Sequence, residues 1–298
     1  MLSALRFGGS SMSQNFLFAW PNRTEGATLT GGAWSSTLPL ANLKTRFTFE
    51  PARSTDTLPA STQCDVALDA PRDIKCVALL RHNLRVGARY RLRLSATVGD
   101  YSSPLWDSGT RAVWGSMFPF GVRGWGDDGW WGGMPGAEDI AGYPSLLLCV
   151  LPQAVRALYL RLELFDEGHP AGYVEAARLW VSGQWQPTYN VSYGMQLGWE
   201  DPSRTEAALD GTEYHDERPK TRALVASLDW LSADEGHAVY LEMQRQLGTT
   251  RELLVVPDYS DTTHLIRRSF VGRLRKLSAL DAWAYRLYKG AIEIKETV

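Results

Sequence analysis

No stretch of about 18 consecutive apolar residues occurs in the 298-residue chain, so no membrane-spanning helix is expected. Cysteine is scarce: Cys64, Cys76 and Cys149 are odd in number, widely spaced and form no CxxC pair. That pattern argues against a disulfide framework or a zinc knuckle, and leaves small buried thiols as the ordinary reading. An excess of either charge is lacking too. The 31 Lys and Arg against 33 Asp and Glu leave a net charge of -2, and no basic stripe runs along the chain. Sequence readout of nucleic acid is therefore not expected. The first residues carry one early arginine and a short apolar patch but no h-region or cleavage site, so no secretion signal is expected. Residues 1–11 are read as an N-terminal extension before Met12. Without a secretion signal, the sequons at Asn22-Arg23-Thr24 and Asn190-Val191-Ser192 carry no weight.

Catalytic signatures are missing as well. There is no GxSxG elbow and no HExxH pair. The glycines Gly124, Gly126 and Gly129 match the dinucleotide fingerprint in spacing, but no buried strand precedes them and no helix follows. Asp127 and Asp128 would also repel a pyrophosphate. His82, His169, His215, His237 and His264 show no metal-ligand spacing, and the acidic run Glu213–Glu217 reads as a solvated turn. Asp127, Asp128, Glu138 and Asp139 sit in or beside an aromatic loop. Glycoside hydrolysis needs two acids at a set separation, which a sequence cannot supply. The expectation is no catalytic residue, no metal and no cofactor.

What the chain does have is aromatic: 12 Trp, set among 27 Gly. The densest stretch is 113–136, VWGSMFPFGVRGWGDDGWWGGMPG. A connection this long inside a compact domain is usually functional or disordered. Trp114, Phe118, Phe120, Trp125, Trp130 and Trp131 are more large rings than a loop facing water needs. Three readings stay open for them: a subunit interface, a local core under the loop, or a platform for sugar rings.

Period-two alternation marks strands at 74–80, 89–94, 155–165 and 175–182, with long polar connections between them. A break falls at Gly183-Gln184-Trp185-Gln186-Pro187. Beyond it the spacing predicts strands at 189–199, 221–230, 252–256, 264–274 and 284–295, and one helix. Ser232 and Glu235 form a capping box for that helix. Val239, Tyr240, Met243 and Leu247 share its apolar face, and Gly248 stops it. The expected fold is mostly β, in two domains. Residues 12–185 form a galactose-binding-like jelly-roll sandwich. Residues 186–298 form a tail-tube or distal-tail-like β-sandwich with one flanking helix.

Several stretches together resemble a known family: Pro21-Asn22-Arg23, ATLTGGAW (27–34), LPLANLKTR (38–46), ARSTD (52–56), ALLRHNL (78–84), PAGYVEAARLWVSGQWQPTYNVSYG (170–194), LGWED (197–201), LDWLSADE (228–235) and RLRKLSAL (273–280). The chain is similar, from about Met12 to its end, to virion structural proteins encoded with the tail-tip genes of long-tailed phages of Gram-negative bacteria. The resemblance implies a place in the virion tail and no catalytic residues. The leading expectation is a ring-forming, distal-tail-like adaptor whose partners are further copies of itself and other tail-tip and tail-tube proteins. The alternative is a carbohydrate-binding module for host surface glycan. For the ring, Arg267, Arg268 and Arg273 are expected to meet the acids Glu200, Asp201, Glu206, Asp210, Glu213, Asp216 and Glu217 of a neighbour.

Overall fold

The computed structural model describes residues 16–119, 121–127, 130, 132–141, 144–207, 210 and 212–297. Met12 and the extension before it therefore lie outside the described residues. The chain is mostly β. Its first strands are β1 (Leu17–Ala19), β2 (Thr28–Thr30), β3 (Ala52–Arg53), β4 (Cys64–His82), β5 (Arg89–Ser95), β6 (Trp106–Asp107), β7 (Arg111–Ala112), β8 (Leu146–Phe165) and β9 (Glu175–Ser182). Then come β10 (Gln196–Glu200), β11 (Arg204–Ala207), β12 (Glu213–Asp216), β13 (Thr221–Ser232), β14 (Glu252–Val256), β15 (Phe270–Leu274), β16 (Asp281–Ala284) and β17 (Leu287–Glu296).

Two long antiparallel strands build the N-terminal unit. β4 has 19 residues and β8 has 20, and they pair along most of their length. Their register slips between Ala67 and Arg72 and again between Ile74 and Cys76. At these breaks the ribbon bends back on itself, as irregular pairing allows. The first half of β4 lies beside β2, and the second half beside β9. Cys64 and Val66 from one half join Val77 and Leu79 from the other in a single core with Leu92, Leu160 and Leu179. A folded ribbon with one shared core is a sandwich. The alternation expected at 89–94 and 155–165 holds: Leu92, Leu94, Leu160, Leu162 and Leu164 are buried.

The C-terminal unit is one seven-stranded sheet in the order β1-β14-β15-β17-β13-β10, with β16 paired to β17. The capping box forms as expected. Ser232 Oγ accepts from Glu235 N (3.2 Å), while the Ser232 N–H donates to Glu235 Oε2 (3.4 Å). The helix starts as a π-helical turn at Glu235–Tyr240 and continues as an α-helix at Leu241–Leu247. Gly248 ends it at positive φ. Tyr240, Met243 and Leu247 pack the helix on one face of the sheet. Tyr240 lies over Gly290, where a Cβ would sit 2.5 Å from Tyr240 Cζ, and its hydroxyl donates to the Ala291 carbonyl (2.9 Å).

Four expectations need correction. Of the strand expected at 189–199, only the end is extended, as Gln196–Glu200. The expected 12–185 domain is cut by the sheet itself, because β1 pairs with β14 of the C-terminal unit (Leu17 opposite Val256). Phe16 and Phe18 belong to the C-terminal core, where Phe18 stacks on Trp185 at 5.3 Å. The expected strand at 264–274 starts as a helical turn, Leu265–Arg268, and only Phe270–Leu274 is extended. The Arg222 guanidinium reaches the Ile266 and Arg267 carbonyls (3.0 and 3.1 Å), so the turn has a donor waiting for its last oxygens. The expected strand at 284–295 is the second arm of a hairpin that turns at Tyr285 and Arg286. Arg286 takes φ 57 there, where glycine or asparagine would be usual, so the turn carried no sequence signal.

The two units are packed together through a third apolar layer. Leu17, Ala19, Leu254, Val256 and Val271 from the C-terminal sheet meet Cys76, Ala78, Leu146 and Trp180 from the sandwich. Arg178, nearly fully buried, reaches across this seam to Glu252 and also pairs with Glu25.

Candidate functional site

The aromatic loop divides into an inner and an outer part. Trp114 is buried and belongs to the sandwich core, with its indole N–H donating to the Leu84 carbonyl (3.0 Å). Its ring meets the buried His82 edge-on at 5.4 Å. The neck of the loop is closed by the Met117 and Phe118 N–H groups, which both donate to the Gly133 carbonyl (2.8 and 3.1 Å). Gly133 sits at φ 62, and a Cβ there would overlap the Phe118 carbonyl, so the closure requires glycine.

Phe118 is half-buried between two guanidinium groups, Arg123 at 4.1 Å and Arg267 at 4.8 Å from its ring centre. Cation–π contacts of this kind are worth about 0.5–1 kcal/mol each at exposed sites. The Arg267 contact fastens the loop of the N-terminal unit to the C-terminal one, while Arg123 holds the ring from within the loop. Trp125 is 84% exposed and meets Trp130 at 4.6 Å, with the rings inclined at 60°. Phe120 and Trp131 lie outside the described residues. Of the three readings of the loop, the local core takes Trp114, while Trp125 and Trp130 form a surface pair.

The loop acids serve the loop's own backbone. Asp127 accepts from Gly124 N (2.9 Å), and Asp139 accepts from Gly136 N (2.7 Å). The Gly136 N–H and then the Arg123 guanidinium hold the Asp139 carboxyl below the usual carboxylate range, the opposite of what a general acid needs. Asp128 lies outside the described residues, and Glu138 is exposed. Among the described residues, no group of three or more His, Cys, Asp and Glu could hold a metal ion. No helix among them is long and apolar enough to cross a membrane.

The expected ring arginines are largely engaged within the chain. Arg267 faces Phe118, and Arg268 pairs with Asp261 at 3.1 Å. Arg273 alone is exposed, with no ion partner among the described residues. The acids expected to meet them fall into two sets. Glu200 is bound at home by Arg275 (2.5 Å) and Lys295 (3.2 Å), and Asp201 by Lys220 (3.8 Å). The others, with Glu206, Glu213 and Asp216 on its strands, lie on or beside the hairpin β11–β12. All eight strand residues of that hairpin are exposed, and neither strand packs substantially on any other element.

Sequence reading missed a second aromatic surface on the C-terminal unit. Trp230 and Trp283 meet at 5.0 Å, and the Trp283 indole donates to the Asp229 carbonyl (2.9 Å). Trp230, Asp229, Asn190, Tyr189 and Tyr193 line a cleft of about 680 Å³. Alternation could not have found it: Trp230 continues the phase of buried Leu224, Ala226 and Leu228, and only the register shift between Leu228 and Leu231 turns it to solvent. A wider groove of about 1460 Å³ lies between the units, lined by Arg81, Tyr173, Trp199, Glu217 and Lys220 among others.

No family model matches this sequence, and no curated protein matches it. Solved structures do. A family 32 carbohydrate-binding module from Clostridium perfringens NanJ, solved with galactose, aligns over 56% of this chain and 99% of its own at 11% identity and TM-score 0.36. A module from a family 31 glycoside hydrolase of the same organism aligns over 56% of this chain and 95% of its own, at 16% identity and the same TM-score. That score is too low to carry a function across.

Proposed function

We propose that the chain is a structural subunit of a bacteriophage tail tip that joins copies of itself in a ring, in the manner of a distal-tail adaptor. The observation that carries this reading is the β11–β12 hairpin. A two-stranded hairpin with no covered face is marginal on its own in water. Here every strand residue is exposed, and Tyr214 shows 64% of its surface. The hairpin lies between β10 and β13 in the chain, and β10 is an edge strand of the sheet, paired on one side only. Edges and arms of this kind are normally covered by a partner. The sequence resemblance supplies the kind of assembly, a virion tail. No catalytic role and no cofactor are part of this reading. The test is immunogold electron microscopy of particles carrying this protein. Label is expected at the tail tip, and label restricted to the head, or absent from intact particles, rejects the proposal.

A second reading, recognition of host surface glycan, is favoured by one observation: the Trp125–Trp130 pair on the surface of the sandwich unit. Sugar faces stack on exposed aromatic rings of this kind, much as bases do. Binding of host lipopolysaccharide should quench tryptophan fluorescence, and Trp125→Ala should abolish the quench. Unchanged binding by that variant removes the pair from any glycan site.

A further inference from the structure

The charges of the hairpin and of the sheet next to it are distributed unevenly within one chain. Residues 201–217 carry six carboxylates, Asp201, Glu206, Asp210, Glu213, Asp216 and Glu217, against a single Arg204. On the hairpin, Asp216 is paired to Arg218 at 2.7 Å, while Glu206 has no ion partner among the described residues. The opposite sign gathers on the outer face of the C-terminal sheet, where the sandwich unit no longer covers it. There Arg275, Lys276 and Lys295 share two carboxylates, Glu200 and Glu293, and exposed Arg273 stands beside them. The register sets Arg273 directly across from Lys295 on one side and from Glu252, whose carboxylate Arg178 also engages, on the other. Like charges directly opposite on neighbouring strands are destabilising, so this face holds cations that the chain itself leaves incompletely compensated.

We propose that the acidic β11–β12 arm of one copy docks on the basic outer face of the next, with Glu206 and Glu213 meeting the cations around Arg273 and Lys276. The inference rests on the self-association reading above and names its surface. The arm and the patch are different surfaces of one chain, so the contact is head-to-tail. Head-to-tail contacts close into rings when their rotation allows. Complementary charge sets partner, register and rate of encounter. The contact is largely exposed, so it weakens as salt rises and shortens the screening length to about 3 Å at 1 M.

The test uses the full chain in sedimentation velocity over a range of concentrations, at low and at high salt. The wild type is expected to self-associate at low salt and to dissociate as salt rises. An arm variant, Glu206→Lys with Glu213→Lys, and a patch variant, Arg273→Glu with Lys276→Glu, are each expected to weaken association on the order of ten-fold or more. An unchanged near-ultraviolet circular dichroism spectrum shows that both still fold. Mixing the two variants is the deciding step. Each alone sets like charge against like, whereas the mixture offers a basic arm to an acidic patch and an acidic arm to a basic patch. Association is expected to return in the mixture. Variants that associate as well as the wild type, or a mixture that stays monomeric, overturn the arm–patch contact and leave self-association standing. A wild type that is monomeric at every concentration and salt overturns both.

Discussion

His82 shows how one buried side chain shapes the whole chain's response to acid. It comes from the end of β4, packs against Trp114, and neither ring nitrogen has a hydrogen-bond partner among the described residues. Burial pushes its imidazole down to about 3, because a charged ring there would lose its solvation. In the unfolded chain the ring titrates near the ordinary value of about 6.5. Between those two values the unfolded state binds the proton and the folded state does not. Stability is therefore full above about pH 6.5 and falls as pH drops through the window toward 3, by up to about 1.4 kcal/mol per pH unit. The window between pH 6.5 and 5 lies above the ordinary carboxylate range, so the histidine can be read there. Urea midpoints at pH 7 and pH 5 should differ for the wild type and converge for His82→Phe. Equal pH dependence in both proteins would exclude His82 as the source.

At the scale of elements, the decisive strand is a very short one. β1 has three residues, and together with Phe16 it forms an apolar run with no alternation. Phe16 and Phe18 point into the C-terminal core, and Leu17 and Ala19 into the seam between the units. A strand buried on both faces loses the period of two, and a short apolar run then says nothing about its partner. The strands at 74–80 and 252–256 were legible as strands, but not that neighbouring residues in Val77–Leu79 and Leu253–Val256 enter different cores. Strands that bury one face, such as β5 and the distal half of β8, were legible from alternation, and the capping box at Ser232 and Glu235 located the helix start. The site was less legible. Arg267 and Arg268 were expected to meet a neighbour's acids, yet Phe118 and Asp261 engage them, from segments 149 and 7 residues away. Contacts of that separation have no local signature. The placement of β1 has a direct consequence. Residues 186–298 expressed alone lack their edge strand and the Phe16 and Phe18 side chains, and should not melt cooperatively. Adding a peptide spanning 14–20 should restore part of the transition. In the full chain, Phe18→Ala should cost about 3–5 kcal/mol, the usual range for emptying a buried aromatic site. A cooperative melt of 186–298 without the peptide would place β1 outside that unit's folding core.

The whole molecule is three apolar layers separated by two sets of strands, and the middle layer decides how it unfolds. That layer holds Trp180, Leu254, Val256 and Cys76 at essentially no exposure, and Arg178 spans it to Glu252. Strands β4, β9, β1 and β14 each contribute one face to it and the opposite face to their own unit's core. Unfolding either unit would strip one side from strands of the other, at roughly 25 cal/mol for each Å² of apolar surface exposed. The units are therefore expected to unfold together, although the only C-terminal residue in the buried sandwich core among the described residues is Ile266. Differential scanning calorimetry should show a single transition for the wild type, with the van't Hoff and calorimetric enthalpies close to each other. Trp180→Ala empties the centre of the middle layer and also removes the indole that donates to Ser182 Oγ (3.1 Å). It should cost about 3–5 kcal/mol and split the transition in two, because it weakens the coupling more than either unit. Leu92→Ala, placed in the sandwich core alone, is the control: it should lower the melting temperature while leaving one peak. Two separate transitions in the wild type, or a single unsplit peak in Trp180→Ala at a melting temperature matched by Leu92→Ala, would mean that the middle layer does not couple the two units.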